Sequence, residues 1–236
     1  MKVATYNTQH CLNYQTGKID FEAMAEAILS LDADVVGLNE MRGEGPDKDY
    51  TAQVEKLAEL CGMKYYYFAK AIDLKYGPYG NGLISRIPIK NAKTVPIPDP
   101  VVKKYNDYYE TRCLLVCELE GGVRVMVTHF GLNPDEAENA VKCALENITD
   151  KRCILMGDFN LKPESEILAP IFDKMQDAAE GFCAEKMSFP ADAPNRKIDY
   201  IFTSRDAKIF GADIPENLTS DHRPHTAMIE FGENAK

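Results

Sequence analysis

The chain has 236 residues and a formal net charge of −10. Its content of 45% hydrophobic and 27% charged residues excludes a disordered chain, because such chains combine low hydrophobicity with high net charge. The length favours one folded domain that spans residues 1–236. The negative charge argues against a nucleic-acid partner, since an acidic surface repels the phosphate backbone.

The cysteines and the apolar segments indicate where the protein resides. Seven cysteines are scattered without Cys-x-x-Cys spacing, which is typical of reduced thiols in a core. The chain begins with a strand-like segment, and no apolar run reaches the length of a membrane span. We therefore expect a cytoplasmic protein without a transmembrane segment. The sequence does not indicate the oligomeric state.

The first half of the chain alternates strand and helix patterns. The predicted elements are a strand at 2–7, a helix at 21–29, a strand at 34–40, a helix at 54–61, and strands at 65–71 and 82–86. Asp20 is the expected N-cap of the first helix. The apolar strand that ends at Glu40 delivers this carboxylate to a polar loop. The last two strands are expected to flank a loop rich in glycine and tyrosine.

The second half is richer in strands. The predicted elements are a proline-rich connection at 88–100, strands at 113–119 and 123–129, a helix at 134–148, a strand at 153–156, a short helix at 164–172, and strands at 198–203, 207–211 and 226–231. Gly121 and Gly122 between two hydrophobic strands predict a hairpin. Because strands outnumber helices and many are adjacent, two packed sheets flanked by helices are favoured over one doubly wound parallel sheet.

Polar residues recur where apolar strands end. They are Asn7, Glu40, Asn81, His129, Asp158, Asn160, Asp199, Asp221 and His222. Carboxylate and amide oxygens are the ligands that Mg²⁺ or Mn²⁺ prefers, and histidines can hold developing negative charge or move protons. If these strand ends meet at one edge, the set favours metal-assisted attack of water on phosphorus.

Seven segments carry most of these residues in a fixed order. They are Thr5-Tyr6-Asn7, Asn39-Glu40-Met41, 80–86 (GNGLISR), Thr128-His129-Phe130, Gly157-Asp158-Phe159-Asn160, 197–202 (KIDYIF) and 220–224 (SDHRP). Their residues and their order along the chain resemble those of the endonuclease/exonuclease/phosphatase superfamily, which includes deoxyribonuclease I, sphingomyelinases and inositol-polyphosphate phosphatases. The resemblance implies an α+β fold, a four-layer α/β/β/α sandwich of two mixed sheets flanked by helices.

The resemblance also implies a metal site and a group that activates water. Glu40 would be the main carboxylate ligand of Mg²⁺, or of Mn²⁺, with Asn7 beside it and Asp221 as a further ligand. Asp158 would orient or deprotonate the attacking water, assisted by the amide of Asn160.

The remaining implied roles concern the substrate. His222 would contact the scissile phosphate, with Asp199 fixing its tautomer, and His129 would be a second phosphate contact. Other predicted substrate-binding residues are Arg112, Asn81 and Tyr79. Several positive groups are needed because a crowded phosphorane must be neutralised from more than one side.

Two positions bear on the substrate class. The segment around His129 resembles the histidine-bearing branches of the superfamily, and Gln9 stands where abasic-site endonucleases carry an acidic residue. These positions disfavour an abasic-site endonuclease. The acidic charge and the short connections favour a hydrolase of a small phosphoester, sugar-linked or lipid-linked, over a nuclease for DNA or RNA. A catalytically silent scaffold is the third alternative, disfavoured because the central residues are present. The sequence leaves open whether the substrate is a monoester or a diester.

Overall fold

A computed structural model describes residues 1–48 and 50–232. The strands are β1 (Lys2–Asn7), β2 (Leu12–Asn13), β3 (Lys18–Ile19), β4 (Val35–Arg42), β5 (Tyr65–Leu74), β6 (Gly77–Ser85), β7 (Ile89–Pro96), β8 (Cys113–Leu119), β9 (Arg124–His129), β10 (Cys153–Asp158), β11 (Gln176–Asp177), β12 (Asp199–Thr203), β13 (Ala207–Asp213) and β14 (His225–Phe231). The α-helices are α1 (Phe21–Ser30), α2 (Gln53–Leu60), α3 (Pro134–Asn147) and α4 (Ala169–Lys174). Short 3₁₀ turns lie at Gln9–Cys11 and Glu166–Leu168.

Two six-stranded sheets form the centre of the molecule. The first has the order β13-β14-β1-β4-β6-β5, and the second has the order β11-β12-β10-β9-β8-β7. Each sheet contains a central parallel pair, β1 with β4 in the first and β9 with β10 in the second. Both sheets are thus mixed, and the carboxyl ends of the two parallel pairs become available for one site.

Three hydrophobic clusters of the described residues define four layers. Val3 and Leu83 of the first sheet pack with Leu115 and Val127 of the second, in the cluster between the sheets. A second cluster packs α1 and α2 on the outer face of the first sheet, and a third packs α3 and α4 on the outer face of the second. The predicted α/β/β/α sandwich is confirmed. The seven cysteines are buried and free.

Most predicted elements are present with small shifts of their ends. The hairpin of β8 and β9 is confirmed, and the Asp20 carboxylate caps α1 by accepting a hydrogen bond from the Ala23 amide. The proline-rich connection was wrong in part, because it contains the edge strand β7, whose last residue is Pro96. Proline is compatible with an edge strand because one side of that strand needs no partner.

The predicted loop rich in glycine and tyrosine was also wrong, because residues 77–81 belong to β6. Three two-residue strands, β2, β3 and β11, were not predicted. Among the described residues, no helix combines the length and the apolar character that crossing a membrane requires.

Gly157 is the residue that fixes the end of β10. Its φ of 143° lies in a region that residues with a side chain rarely adopt. A Cβ atom here would overlap the backbone carbonyl of Thr128 in the neighbouring strand β9. Only glycine therefore lets the two parallel strands stay paired up to Asp158, the next residue.

We expect Gly157→Ala to lower the free energy of unfolding by about 3 kcal/mol, since backbone strain and overpacking each cost about 1–3 kcal/mol. Urea denaturation at neutral pH measures this change. Gly211→Ala is the matched control, because a Cβ at Gly211 meets no atom within 4 Å. Equal stability of the two variants would contradict the interpretation.

Candidate active site

The predicted site residues meet where strands of both sheets end. Asn7 is the last residue of β1, and Glu40 lies near the end of the parallel strand β4. His129 and Asp158 are the last residues of the parallel pair β9 and β10, and they are register partners. Asp158 also lies opposite Asp199 in the antiparallel pair of β10 and β12. The topology therefore brings distant parts of the sequence together.

An irregularity in β4 sets the direction of Glu40. The register with β6 shifts between Leu38 and Met41, and Glu40 itself has a φ of 64°. Such a bulge re-aims a side chain that regular strand alternation would place elsewhere. Burial, and after it the negative charge of Glu40, raise the pKa of Tyr79 on the paired strand β6.

The Asn7 side chain bridges the two sheets. Its Nδ2 donates to Glu40 Oε1 at 3.1 Å and to Asp158 Oδ2 at 3.0 Å. Its Oδ1 accepts from the Gln9 amide at 3.1 Å. The predicted role of Asn7 as a metal ligand would require this oxygen to turn toward Glu40. In the observed orientation, Asn7 fixes the position of the Glu40 carboxylate relative to that of Asp158.

Asn39 forms a second bridge, which the sequence analysis missed as a site residue. Its Nδ2 donates to the Thr128 carbonyl and to Asn81 Oδ1, both at 2.8 Å. Its Oδ1 accepts from the Asp158 amide at 3.0 Å. The Asn81 amide nitrogen in turn donates to the Cys113 carbonyl at 3.0 Å. Asn81 therefore lies behind the cavity and is not among its lining residues, and its predicted contact with substrate stays a prediction.

His222 lies between two aspartates. Its Nδ1 is 2.9 Å from Asp199 Oδ2, and its Nε2 is 3.6 Å from Asp158 Oδ2. Burial opposes protonation, but the negative charges of Asp199 and Asp158 raise the pKa of His222. Burial also raises the pKa of Asp158. His222 is thus a cation at neutral pH, and Asp158 is a stronger base than an exposed aspartate.

The same three residues are a geometric candidate for a metal site, because one potential ligand atom of each lies within 4.8 Å of the others. An imidazolium offers no lone pair to a metal, since both ring nitrogens carry protons. With His222 protonated, Asp158, Asp199 and His222 form an ion-paired group, in which His222 is hydrogen-bonded to Asp199 and lies 3.6 Å from Asp158.

His129, unlike His222, is uncharged. Arg112 Nη1 lies 3.0 Å from His129 Nδ1, and because guanidinium only donates, this nitrogen accepts. The ring proton is then on Nε2 and points toward Asp158 Oδ2 at 3.5 Å. The Asn160 side-chain nitrogen, 3.2 Å from Nε2, also only donates, so it is not a partner of this proton. Burial and the positive charge of Arg112 hold the pKa of His129 well below its usual range. His129 is therefore a neutral donor toward Asp158.

These groups surround a cavity of about 310 Å³. The predicted residues that line it are Glu40, Tyr79, Arg112, His129, Asp158, Asn160, Asp221 and His222. Asn7 and Asp199 support it from behind through the bonds described above. The lining residues that the sequence analysis missed are Glu110, Leu132, Phe189, Arg196 and Ile198. Of these, Glu110 is paired with Arg112 at 2.6 Å.

The donor set of the cavity fits a divalent cation. Burial opposes ionisation of Glu40, but the neighbouring His10 and the hydrogen bond from Asn7 hold its pKa below the usual range. The charge of Glu40 adds to burial in raising the pKa of Asp221, which places the two carboxylates within electrostatic reach. Hard oxygen ligands with excess negative charge are what Mg²⁺ or Mn²⁺ binds.

Two further histidines, His10 and His225, lie close to the motif segments of the sequence. His10 Nδ1 lies 3.8 Å from Glu40 Oε2, so His10 contributes to the electrostatic field of the site. His225 is fully buried in β14, opposite Thr5 of β1, and does not line the cavity. Burial lowers the pKa of His225 to about 4.

Comparisons with known proteins give a family and a fold. The model of the "Endonuclease/Exonuclease/phosphatase family" matches residues 4–222. An endonuclease/exonuclease/phosphatase from Beutenbergia cavernae DSM 12333 has a TM-score of 0.78 at 22% identity, covering 98% of this chain and 72% of that chain. A mannosyl-6-phosphatase of Bacteroides thetaiotaomicron has a TM-score of 0.78 at 16% identity, covering 98% and 100%.

The human Nocturnin catalytic domain has a TM-score of 0.67 at 17% identity, covering 98% of this chain and 94% of that chain. At such identities these likenesses show the fold alone. No curated protein matches the chain in sequence.

The depressed pKa of His225 predicts a pH-dependent stability. Between pH 6.5 and pH 4 the unfolded chain binds a proton on this histidine that the folded chain does not. Stability must therefore fall as the pH falls through this window, by about 3 kcal/mol between pH 7 and pH 4. His225→Leu removes this contribution. Urea denaturation across the window should show a shallower loss for the variant, and identical slopes would contradict the prediction.

Proposed function

Because the chain belongs to the endonuclease/exonuclease/phosphatase family, whose members hydrolyse phosphoesters, we propose that it is a Mg²⁺-dependent hydrolase of a small phosphoester, sugar-linked or lipid-linked. One observation carries the proposal. The buried carboxylate of Asp158, which has a raised pKa, faces the cavity. Two further carboxylates, Glu40 and Asp221, and the cationic His222 line the same cavity. This arrangement combines a base, a cation site and a positive donor.

Glu40 and Asp221 would hold the ion, and Asn7 would join them if its amide oxygen turned toward the cavity. When bound, Mg²⁺ acts as a Lewis acid that stabilises negative charge on phosphoryl oxygens. The need for a cation follows from the charges. Glu40, Asp158 and Asp221 would repel a phosphate, and Arg112 is already paired with Glu110.

Asp158 is the proposed base. Its Oδ1 accepts from the Asn160 backbone amide at 2.8 Å, and its Oδ2 accepts from Asn7. These bonds fix the carboxylate, so that a water beside it can lose its proton while attacking phosphorus. A carboxylate whose pKa lies closer to neutrality is a more effective general base. The Asn160 side chain would orient that water.

His222 and His129 are the proposed phosphate contacts. His222 would supply a positive charge to the developing phosphorane, and Asp199 would keep its ring oriented. His129 would donate from Nε2, since Arg112 fixes its Nδ1 as the acceptor. Preorganised donors of this kind lower the barrier because they need no reorganisation during the reaction.

The size and the charge of the protein support a small substrate. The cavity of about 310 Å³ is at the small end of ligand pockets, and the net charge of −10 disfavours binding of a polynucleotide. The structurally similar mannosyl-6-phosphatase is named for a sugar phosphate, which supports the sugar-linked class. Tyr79, which lines the cavity, would contact the substrate.

We expect hydrolysis of 4-nitrophenyl phosphate or bis(4-nitrophenyl) phosphate to require Mg²⁺, and Asp158→Asn to lower kcat/KM about 10²–10⁴-fold, the contribution typical of a general base. Initial rates with Mg²⁺ and with EDTA measure both effects. Asp150→Asn is the control, because Asp150 is an exposed aspartate paired with Lys174. Turnover that survives chelation, or that both variants lose equally, would contradict the proposal.

A further inference from the structure

A short hairpin loop forms one wall of the cavity. Phe189 and Arg196 close this loop, residues 189–196, by pairing their backbones, with the Arg196 amide donating to the Phe189 carbonyl at 3.0 Å and the Phe189 amide donating to the Arg196 carbonyl at 3.0 Å. Both residues line the cavity. The loop belongs to none of the seven motif segments, and the proposed mechanism does not use it.

Hydrogen bonds tie this loop to the site. The Ala191 amide donates to the Asp221 carbonyl at 2.7 Å, and Arg223 Nε donates to the Ala191 carbonyl at 2.8 Å. The Arg223 amide donates to the Ser188 carbonyl at 2.7 Å. These bonds attach the loop to both neighbours of His222, so the loop keeps a fixed position beside that residue.

Three side chains stack along the wall. The Phe189 ring lies 4.6 Å from the His222 ring, centroid to centroid, and the Arg196 guanidinium carbon lies 4.7 Å from the Phe189 centroid. A cation over an aromatic face is attracted by the ring quadrupole. The stack therefore holds the Arg196 guanidinium beside the cavity, one ring away from the proposed phosphate contact His222.

The charge of Arg196 is not compensated by any carboxylate of the described residues. Arg112, the other arginine of the cavity, is neutralised by Glu110. Within residues 1–48 and 50–232, no carboxylate lies within the 4 Å of an ion pair with Arg196. In a chain of net charge −10, an unpaired cation at the cavity wall is a candidate binding site for an anionic ligand. Guanidinium groups bind carboxylates and phosphates through bidentate hydrogen bonds.

We propose that Phe189 and Arg196 form a second subsite, which binds a further anionic group carried by the alcohol portion of the substrate. The substrate would then be a phosphoester with a second anionic group, a carboxylate or another phosphate, at a distance from the scissile bond. This rests on the proposed function, because His222 must mark the position of the scissile phosphate. The apolar face of Phe189 would contact the carbon chain between the two anions.

The test compares three hexitol-derived ligands that differ only at carbon 1. They are glucitol 6-phosphate, 6-phosphogluconate and glucitol 1,6-bisphosphate, with a hydroxyl, a carboxylate and a phosphate at that carbon. Calorimetry on the full chain carrying Asp158→Asn, with Mg²⁺, measures each Kd without requiring turnover. We expect at least one of the two ligands with a second anion to bind about tenfold more tightly than glucitol 6-phosphate, as one charge-assisted contact provides. The tighter of these two ligands identifies the preferred anion.

Arg196→Gln should abolish this preference and leave the Kd of glucitol 6-phosphate unchanged, whereas Arg196→Lys should keep part of it. Arg205→Gln removes the same charge at a distance from the cavity, where Arg205 donates to the Phe172 and Asp173 carbonyls, and should have no effect. Equal Kd values for the three ligands, or equal weakening of all three by Arg196→Gln, would overturn the subsite. Absence of hydrolysis in the wild type would instead contradict the proposed function.

Discussion

The two sheets are joined by hydrogen bonds at the carboxyl ends of their parallel strands, and the site depends on this junction. Asn7 on the first sheet donates to Asp158 on the second. Asn39 on the first sheet donates to the Thr128 carbonyl and accepts from the Asp158 amide. Buried polar groups are costly unless they are paired, so these amides fix one relative position of the sheets. That position places Glu40 beside Asp158.

The junction also explains the distribution of charge. Asp158 and Asp199 share the single cation His222, and His129 stays neutral because it is buried and because Arg112 lies against its Nδ1. Glu40 and Asp221 have no comparable partner among the described arginines and lysines. Removing charges from water is favourable only when they are compensated. A divalent cation would therefore bind at the two remaining carboxylates, Glu40 and Asp221, while the histidines would contact the phosphate.

The sequence predicted this arrangement as far as local patterns reach. Strand periodicity, the Gly121-Gly122 turn and the contiguous motifs identified the strand ends, and most of the residues they carry line the cavity or support it. Strand β7 was missed because Pro88 and Pro96 dominate its local pattern, whereas its pairing with β8 decides its structure. The place of Asn81 behind the cavity depends on Asn39, a contact 42 residues away.

Other features could not be predicted because they also depend on contacts between residues that are distant in the sequence. The loop that carries Arg196 has no motif, and its position follows from hydrogen bonds to residues 221 and 223. Asn39 gave one usable signal, a polar residue inside an apolar strand next to Glu40. Buried amides of this kind are expected to have partners, but a single sequence does not identify the partner. Local pattern thus identifies strand ends, and tertiary contacts decide which side chains face the cavity.

The location of the bound cation tests the central claim most directly. Crystals grown with Mn²⁺ give an anomalous difference signal at the ion, and we expect one peak in the cavity with Glu40 and Asp221 as ligands. Hard-oxygen coordination at this position would show that the two carboxylates without a protein cation form the metal site. A peak within the cluster of Asp158, Asp199 and His222, or no peak in the cavity at saturating Mn²⁺, would contradict this account.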